Sequence, residues 1–146
     1  IIFFIIIQTL NNLYFIYKSH PIQNVYFNIF SKSYVNDYMP VDYWGLGNKK
    51  SIDYILKNND RFTISNSSYT PLHYLKFSKR DGSSYADLIS FKGTDIKTKL
   101  KSDFVFTNYY FNENPLNVGK FSIPQEYKSY YKLTIDGIVV NEVFIR

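Results

Sequence analysis

The chain opens on an unbroken apolar run, Ile1-Ile-Phe-Phe-Ile-Ile-Ile7. Gln8, Thr9, Asn11 and Asn12 interrupt it, the apolar character resumes over Leu13-Tyr-Phe-Ile-Tyr17, and the run then meets Lys18 and His20-Pro21. As a helix, residues 1–17 span about 26 Å, a little short of a bilayer's hydrocarbon core. The pattern predicts the end of a transmembrane helix over residues 1–18, with the sequence beginning inside the span. Tyr14, Tyr17 and Lys18 stand where an interfacial aromatic belt and a snorkelling cation belong. Two rivals are a cleaved signal peptide and a buried helix of a soluble protein. The first lacks both a basic start and a small-residue cleavage site.

Beyond Pro21 the pattern changes. Residues 19–47 read as a connector rich in aromatics, extended from Ile22 to Phe30. Residues 48–146 read as a folded domain. Asn48 is a plausible N-cap for a helix with Ile52, Ile55 and Leu56 on one face. Arg61 to Ser65 predicts a strand. Thr70-Pro71 predicts a second helix, with Thr70 as its cap and Leu72, Leu75 and Phe77 inward. Asp81 to Ser84 is a turn, Asp87 to Phe91 a strand, Thr94 to Lys101 a short helix and Asp103 to Thr107 another strand. Asn108 to Glu126 reads as a long loop. Asp136-Gly137 between Tyr131–Ile135 and Ile138–Phe144 is a hairpin signal. Alternating helices and strands predict an α/β fold, a small mostly parallel or mixed sheet with flanking helices and a C-terminal β-hairpin.

Composition narrows the chemistry. The 146 residues, 45% of them hydrophobic, include 15 Tyr and 13 Phe, enough for a packed core in one domain. Cys is absent, which removes disulfides, thiolate metal sites and Cys nucleophiles. The net charge of +5 permits contact with phosphates, but the lysines are scattered and read first as a solvated basic surface. No Gly-rich phosphate loop, nucleophile elbow or nucleic-acid-binding motif occurs. His20 and His73 are far apart and make a weak metal set. Asp37, Asp42, Asp53 and Asp87 are the carboxylates that could act as acid or base, with no second carboxylate at a telling spacing, and Asp42 stands out through its aromatic neighbours. The simplest role for its side chain is to cap the following turn. Trp44, the only tryptophan, lies in Asp42-Tyr43-Trp44-Gly45. It is expected to wedge between the connector around Tyr26 and the helix after it, so that Trp44→Ala costs about 3–5 kcal/mol.

Several segments, in order, carry a family resemblance. His20-Pro21-Ile22-Gln23-Asn24-Val25-Tyr26-Phe27-Asn28 resembles the "hPyqyvYfN" segment after the last membrane helix of one group of polytopic glycosyltransferases. Asp42-Tyr43-Trp44-Gly45-Leu46, followed by Lys50-Ser51-Ile52-Asp53-Tyr54-Ile55, is similar to their "DYWGls.keal.yl". Ser102 to Tyr109 is similar to "aDYvitny", and Tyr131 to Arg146 to the closing "y.i.vdG..i..vyk". The group is the dolichyl-phosphate-mannose protein mannosyltransferase-like family of GT-C architecture. Ile22, where the family has an aromatic, and Phe104, where it has Tyr, depart from the pattern, and each change removes a hydroxyl.

The resemblance implies an extracytoplasmic, C-terminal, non-catalytic part of a membrane enzyme. That enzyme would transfer a sugar from a polyprenyl-phosphate carrier to an extracytoplasmic acceptor, and many members use a divalent metal. The family's catalytic acids lie in a loop upstream, so no catalytic residue, metal ligand or cofactor carries over to this chain. The implied partners are the lipid bilayer, the remaining transmembrane part of the same chain and the polyprenyl-phosphate sugar donor, with no nucleic acid. Tyr26, Asn28, Asp42, Tyr43 and Trp44 are the candidate binding or domain-docking residues. Two readings from other classes compete: a membrane-anchored binding module without enzymatic activity, and a soluble basic nucleic-acid-binding domain.

Overall fold

The computed structural model describes residues 1–20, 22, 42, 44–68, 70–80, 82–108 and 122–146. Its centre is a five-stranded mixed sheet with flanking helices, the α/β fold expected from the alternating pattern. The strands are β1 (Phe62–Asn66), β4 (Ile89–Lys92), β5 (Phe104–Thr107), β6 (Lys128–Ile135) and β7 (Ile138–Ile145), in the spatial order β4-β1-β5-β7-β6. β1 pairs in parallel with both β4 and β5. β7 runs antiparallel to β5 and β6, so the terminal hairpin closes one side of the sheet. Asp136 (φ 52°) and Gly137 (φ 83°) both take the left-handed conformation at its turn. A two-residue turn with that geometry matches the twist of its strands, which is why Asp-Gly signals a hairpin.

Burial follows position in the sheet. β5 is buried along its whole length, as its apolar Phe-Val-Phe run requires of a central strand. β4 and β6, at the two edges, are only partly buried. On one face α2 (Asn48–Ile55) and a 3-10 helix (His73–Phe77) cover the main core. That core includes Ile52, Ile55, Phe62, Ile64, Leu72, Leu75, Phe104 and Val143. On the other face Val105 packs with Ile123, Tyr127 and Phe144.

Three local expectations are corrected. The segment after Pro71 is a 3-10 helix whose N-cap is Leu72, with no side-chain cap; the Thr70 hydroxyl instead accepts a hydrogen bond from Asn108. Asn48 does not cap α2: Gly47 holds the cap position, and Asn48 lies inside the first turn, fully buried. The strand expected over Asp87 to Phe91 begins only at Ile89; before it come a small antiparallel ribbon, β2 (Lys79–Arg80) and β3 (Ser83–Ser84), where a turn was read over Asp81 to Ser84, and a single helical turn, α3 (Tyr85–Leu88). The Ser84 hydroxyl caps α3 by accepting from the Ala86 N–H. Serine's preference for an N-cap outweighs a short apolar alternation.

The N-terminal run folds as α1 (Ile2–Ser19), ending just before Pro21, and His20 is extended as a residue preceding proline must be. Two of its polar interruptions bond within the helix. The Thr9 hydroxyl donates to the Ile5 carbonyl (2.8 Å) and the Gln8 amide to Asn12 Oδ1 (3.0 Å). Most of its large apolar side chains are exposed, from 48% at Ile7 to 86% at Tyr17. Among the described residues, no helix is long and apolar enough to cross a membrane. Past α1, Ile22 is buried against Leu133, Ile138 and Val140 of the hairpin.

Candidate functional site

The parallel strands β1 and β5 lie side by side, but the chain leaves them in different directions. After β1 it runs to β4 on one side, and after β5 it runs to the hairpin on the other. A divergence of this kind opens a crevice beyond the carboxyl ends of the two strands, the usual ligand position in open α/β sheets. Asn66, Ser67, Ser68 and Thr70 follow β1 there, and Thr107 and Asn108 end or follow β5; all are buried. The Asp42–Gly47 turn is seated on this crevice.

Asp42 is fully buried and organises the turn. One carboxylate oxygen accepts the Leu46 N–H (2.9 Å) and the other the Gly47 N–H (2.8 Å). Its carbonyl accepts the Gly45 N–H and the Asn108 side-chain amide. A carboxylate held by two backbone N–H groups satisfies the donors that precede a helix, so Asp42 does for α2 what Asn48 was expected to do. Gly45 takes φ +65°, and a Cβ there would stand 2.4 Å from Thr70 Cγ2. At Gly47 a Cβ would meet Asn141 Nδ2 at 2.8 Å and Leu133 Cδ2 at 2.9 Å. The two glycines let the turn press against the loop after β1 and against the hairpin.

Around Asp42 lies a sealed polar cluster. The Asn108 amide donates to Thr70 Oγ1 (2.6 Å), the Ser51 hydroxyl to Asn141 Oδ1, and the Tyr74 hydroxyl to the Gly45 carbonyl (2.9 Å). Burial raises the Tyr74 hydroxyl above its ordinary pKa; the Asp42 charge adds to this and the neighbouring Asn48 amide opposes it. Asn108 Oδ1, Asn141 Nδ2 and both polar atoms of the Asn48 side chain make no hydrogen bond of normal geometry. Amides with unmatched capacity in a sealed cluster suit a buried water or a small polar ligand. The arrangement can hold and position a polar group, and both Asp42 oxygens are engaged with the backbone of the turn.

Trp44 corrects the expectation of a buried wedge. It is 70% exposed, because the turn directs Asp42 inward and carries the indole to the surface. Tyr26, Asn28 and Tyr43 lie outside the described residues. Asn48, Thr70, Tyr74, Asn108 and Asn141 were not legible as one site. Asn141-Glu142 inside the apolar run of β7 was the available signal, since two polar residues within a buried strand need partners.

A second buried polar group lies beside the crevice. Lys99, in α4 (Ile96–Lys99), has no exposed surface and donates to Ser67 Oγ (3.0 Å) and the Ser122 carbonyl (2.7 Å). Burial pushes its ammonium down from 10.5 to about 8, with Asp95 opposing. It ties the end of β1 to the segment entering β6. Among the described residues, no group of three or more His, Cys, Asp or Glu side chains could hold a metal ion. In comparisons with known proteins, no family model, curated protein or solved structure matches this chain.

Proposed function

We propose that this chain is the extracytoplasmic C-terminal part of a membrane glycosyltransferase that moves a sugar from a polyprenyl-phosphate carrier to an extracytoplasmic acceptor, and that this part is not itself catalytic. The observation carrying the reading is a convergence of segments far apart in sequence. The Asp42–Leu46 turn, Asn108 after β5, and Leu133 and Asn141 of the hairpin meet in one buried cluster. These belong to three of the motifs on which the family resemblance rests.

The exposed apolar surface of α1 supports membrane attachment, since such a helix in water leaves a patch far larger than ordinary surfaces carry. The internal hydrogen bonds of Gln8 and Thr9 support it too, because polar groups in lipid must find partners within the protein. The engagement of both Asp42 oxygens in the turn supports a structural role for that residue.

The test uses the full-length protein in membranes. Asp42→Ala should reduce sugar transfer from a polyprenyl-phosphate donor at equal protein level. Wild-type transfer by that variant, or absence of any transfer by the wild type, overturns the reading. In the second case a membrane-anchored binding module, which the same apolar α1 supports, takes its place.

A further inference from the structure

Next to the Asp42 cluster, on the same carboxyl edge of the sheet, a cavity of about 380 Å³ opens between the ends of β1 and β4. That volume lies in the range of small-molecule sites, about 300–1,000 Å³. Its apolar lining comes from Ile64 and Leu72, both buried, and from the Phe91 ring. Asn66 and Ser68 form one wall, and both side chains bond to the Thr70 carbonyl, which fixes the loop they belong to.

Three residues with basic side chains also line the cavity: His73 and Lys76 from the 3-10 helix, and Lys92 at the end of β4. Lys76 Nζ stands 5.8 Å from the centre of the Phe91 ring. Among the described residues, no carboxylate lines the cavity, although Asp95 stands beside Gly93 of its rim. The nearest acid along the chain, Asp95, spends its carboxylate on the Thr98 N–H and hydroxyl. Asp87 borders a neighbouring cavity that shares Lys76. Basic side chains on an apolar floor, with the one neighbouring carboxylate already engaged by Thr98, favour an anion over a cation.

We infer that this cavity binds the phosphate group of a small phosphate ester about as large as a monosaccharide phosphate. Lys76 and Lys92 contact the phosphate, His73 donates a further hydrogen bond, and Phe91 with Leu72 takes the apolar face of the esterified group. The size sets the class, because a nucleic acid needs a track along the surface and not one recess of about 380 Å³. The inference goes beyond the proposed function and is measured without sugar transfer, so either can fail alone.

The test is titration of the whole chain, held in a neutral detergent, with glucose 6-phosphate, inorganic phosphate and glucose, followed by calorimetry. Glucose 6-phosphate should bind at one saturable site, inorganic phosphate should compete with it, and glucose should not bind. Lys76→Gln with Lys92→Gln should weaken binding about tenfold or more, the scale of lost charge-assisted hydrogen bonds. Lys57→Gln with Lys101→Gln, exposed lysines that do not line the cavity, should leave affinity within about twofold. Co-sedimentation with phosphatidylcholine vesicles, with and without phosphatidic acid, identifies the source of the phosphate. A gain from phosphatidic acid that the Lys76/Lys92 variant loses, without binding of soluble esters, assigns the phosphate to a lipid headgroup. Equal weakening by both lysine pairs, or no saturable binding in either arm, overturns the inference.

Discussion

Asp42 carries more of the local structure than any other single side chain in the turn. Asp42→Ala strands two N–H groups in a buried setting and should cost about 3 kcal/mol, read as a lower urea midpoint at unchanged slope. Trp44→Ala, by contrast, should cost under about 1 kcal/mol in the same measurement, because the ring is mostly in solvent. Lys99 makes stability depend on pH. Its folded pKa lies below its unfolded value, so below about pH 8 both states carry the proton and the full penalty of burying an ammonium applies. Above about pH 8 the folded chain releases that proton first, and stability rises with pH. Tyr74, Tyr85, Tyr127 and Tyr131 act in the opposite sense, since burial raises each above 10.0 and the unfolded chain ionises first beyond that point. Urea midpoints should therefore climb from about pH 8 towards 10 and then fall. Lys99→Met should remove the climb and leave the fall.

Among the elements, the turn before α2 depends on contact that only glycine allows. Gly45→Ala places a Cβ against Thr70 at a positive φ and should destabilise by about 1–3 kcal/mol. Gly137→Ala, also at positive φ but in open space, should cost only about 1 kcal/mol. Comparing the two denaturation curves separates steric contact from backbone strain. Both glycines were visible as turn residues, but the sequence could not distinguish them, because the difference lies in what the rest of the fold places beside each. The elements that were misread are short for the same reason. A 3-10 helix, a two-residue ribbon and one helical turn carry too few residues for periodicity to register, and their hydrogen bonds come from neighbours.

For the whole molecule, the division falls between α1 and the sheet domain. Removing residues 1–17, while keeping Ser19 and Ile22 in their buried positions, should give a chain that stays monodisperse without detergent and unfolds cooperatively. Aggregation of that shortened chain in gel filtration would show that α1 covers part of the domain. The long-range features of the domain were legible where a local rule and a global need agree. The apolar run of β5 demands burial on both faces, Asp136-Gly137 demands a hairpin, and strands separated by helical segments demand crossovers, so an α/β sheet follows from the sequence. The candidate site was legible only at Asp42, whose carboxylate before two glycines already implied a cap. Sequence distance hid the rest: Asn108 and Asn141 reach that turn only once β5 and β7 pair, and the cavity at Lys76 and Lys92 exists only once β4 lies beside β1. Periodicity and turn chemistry act between neighbours in the chain and were determined by the sequence alone. Which polar groups share a buried cluster, and which cations share a recess, depends on strand order, and only the tertiary structure decided it.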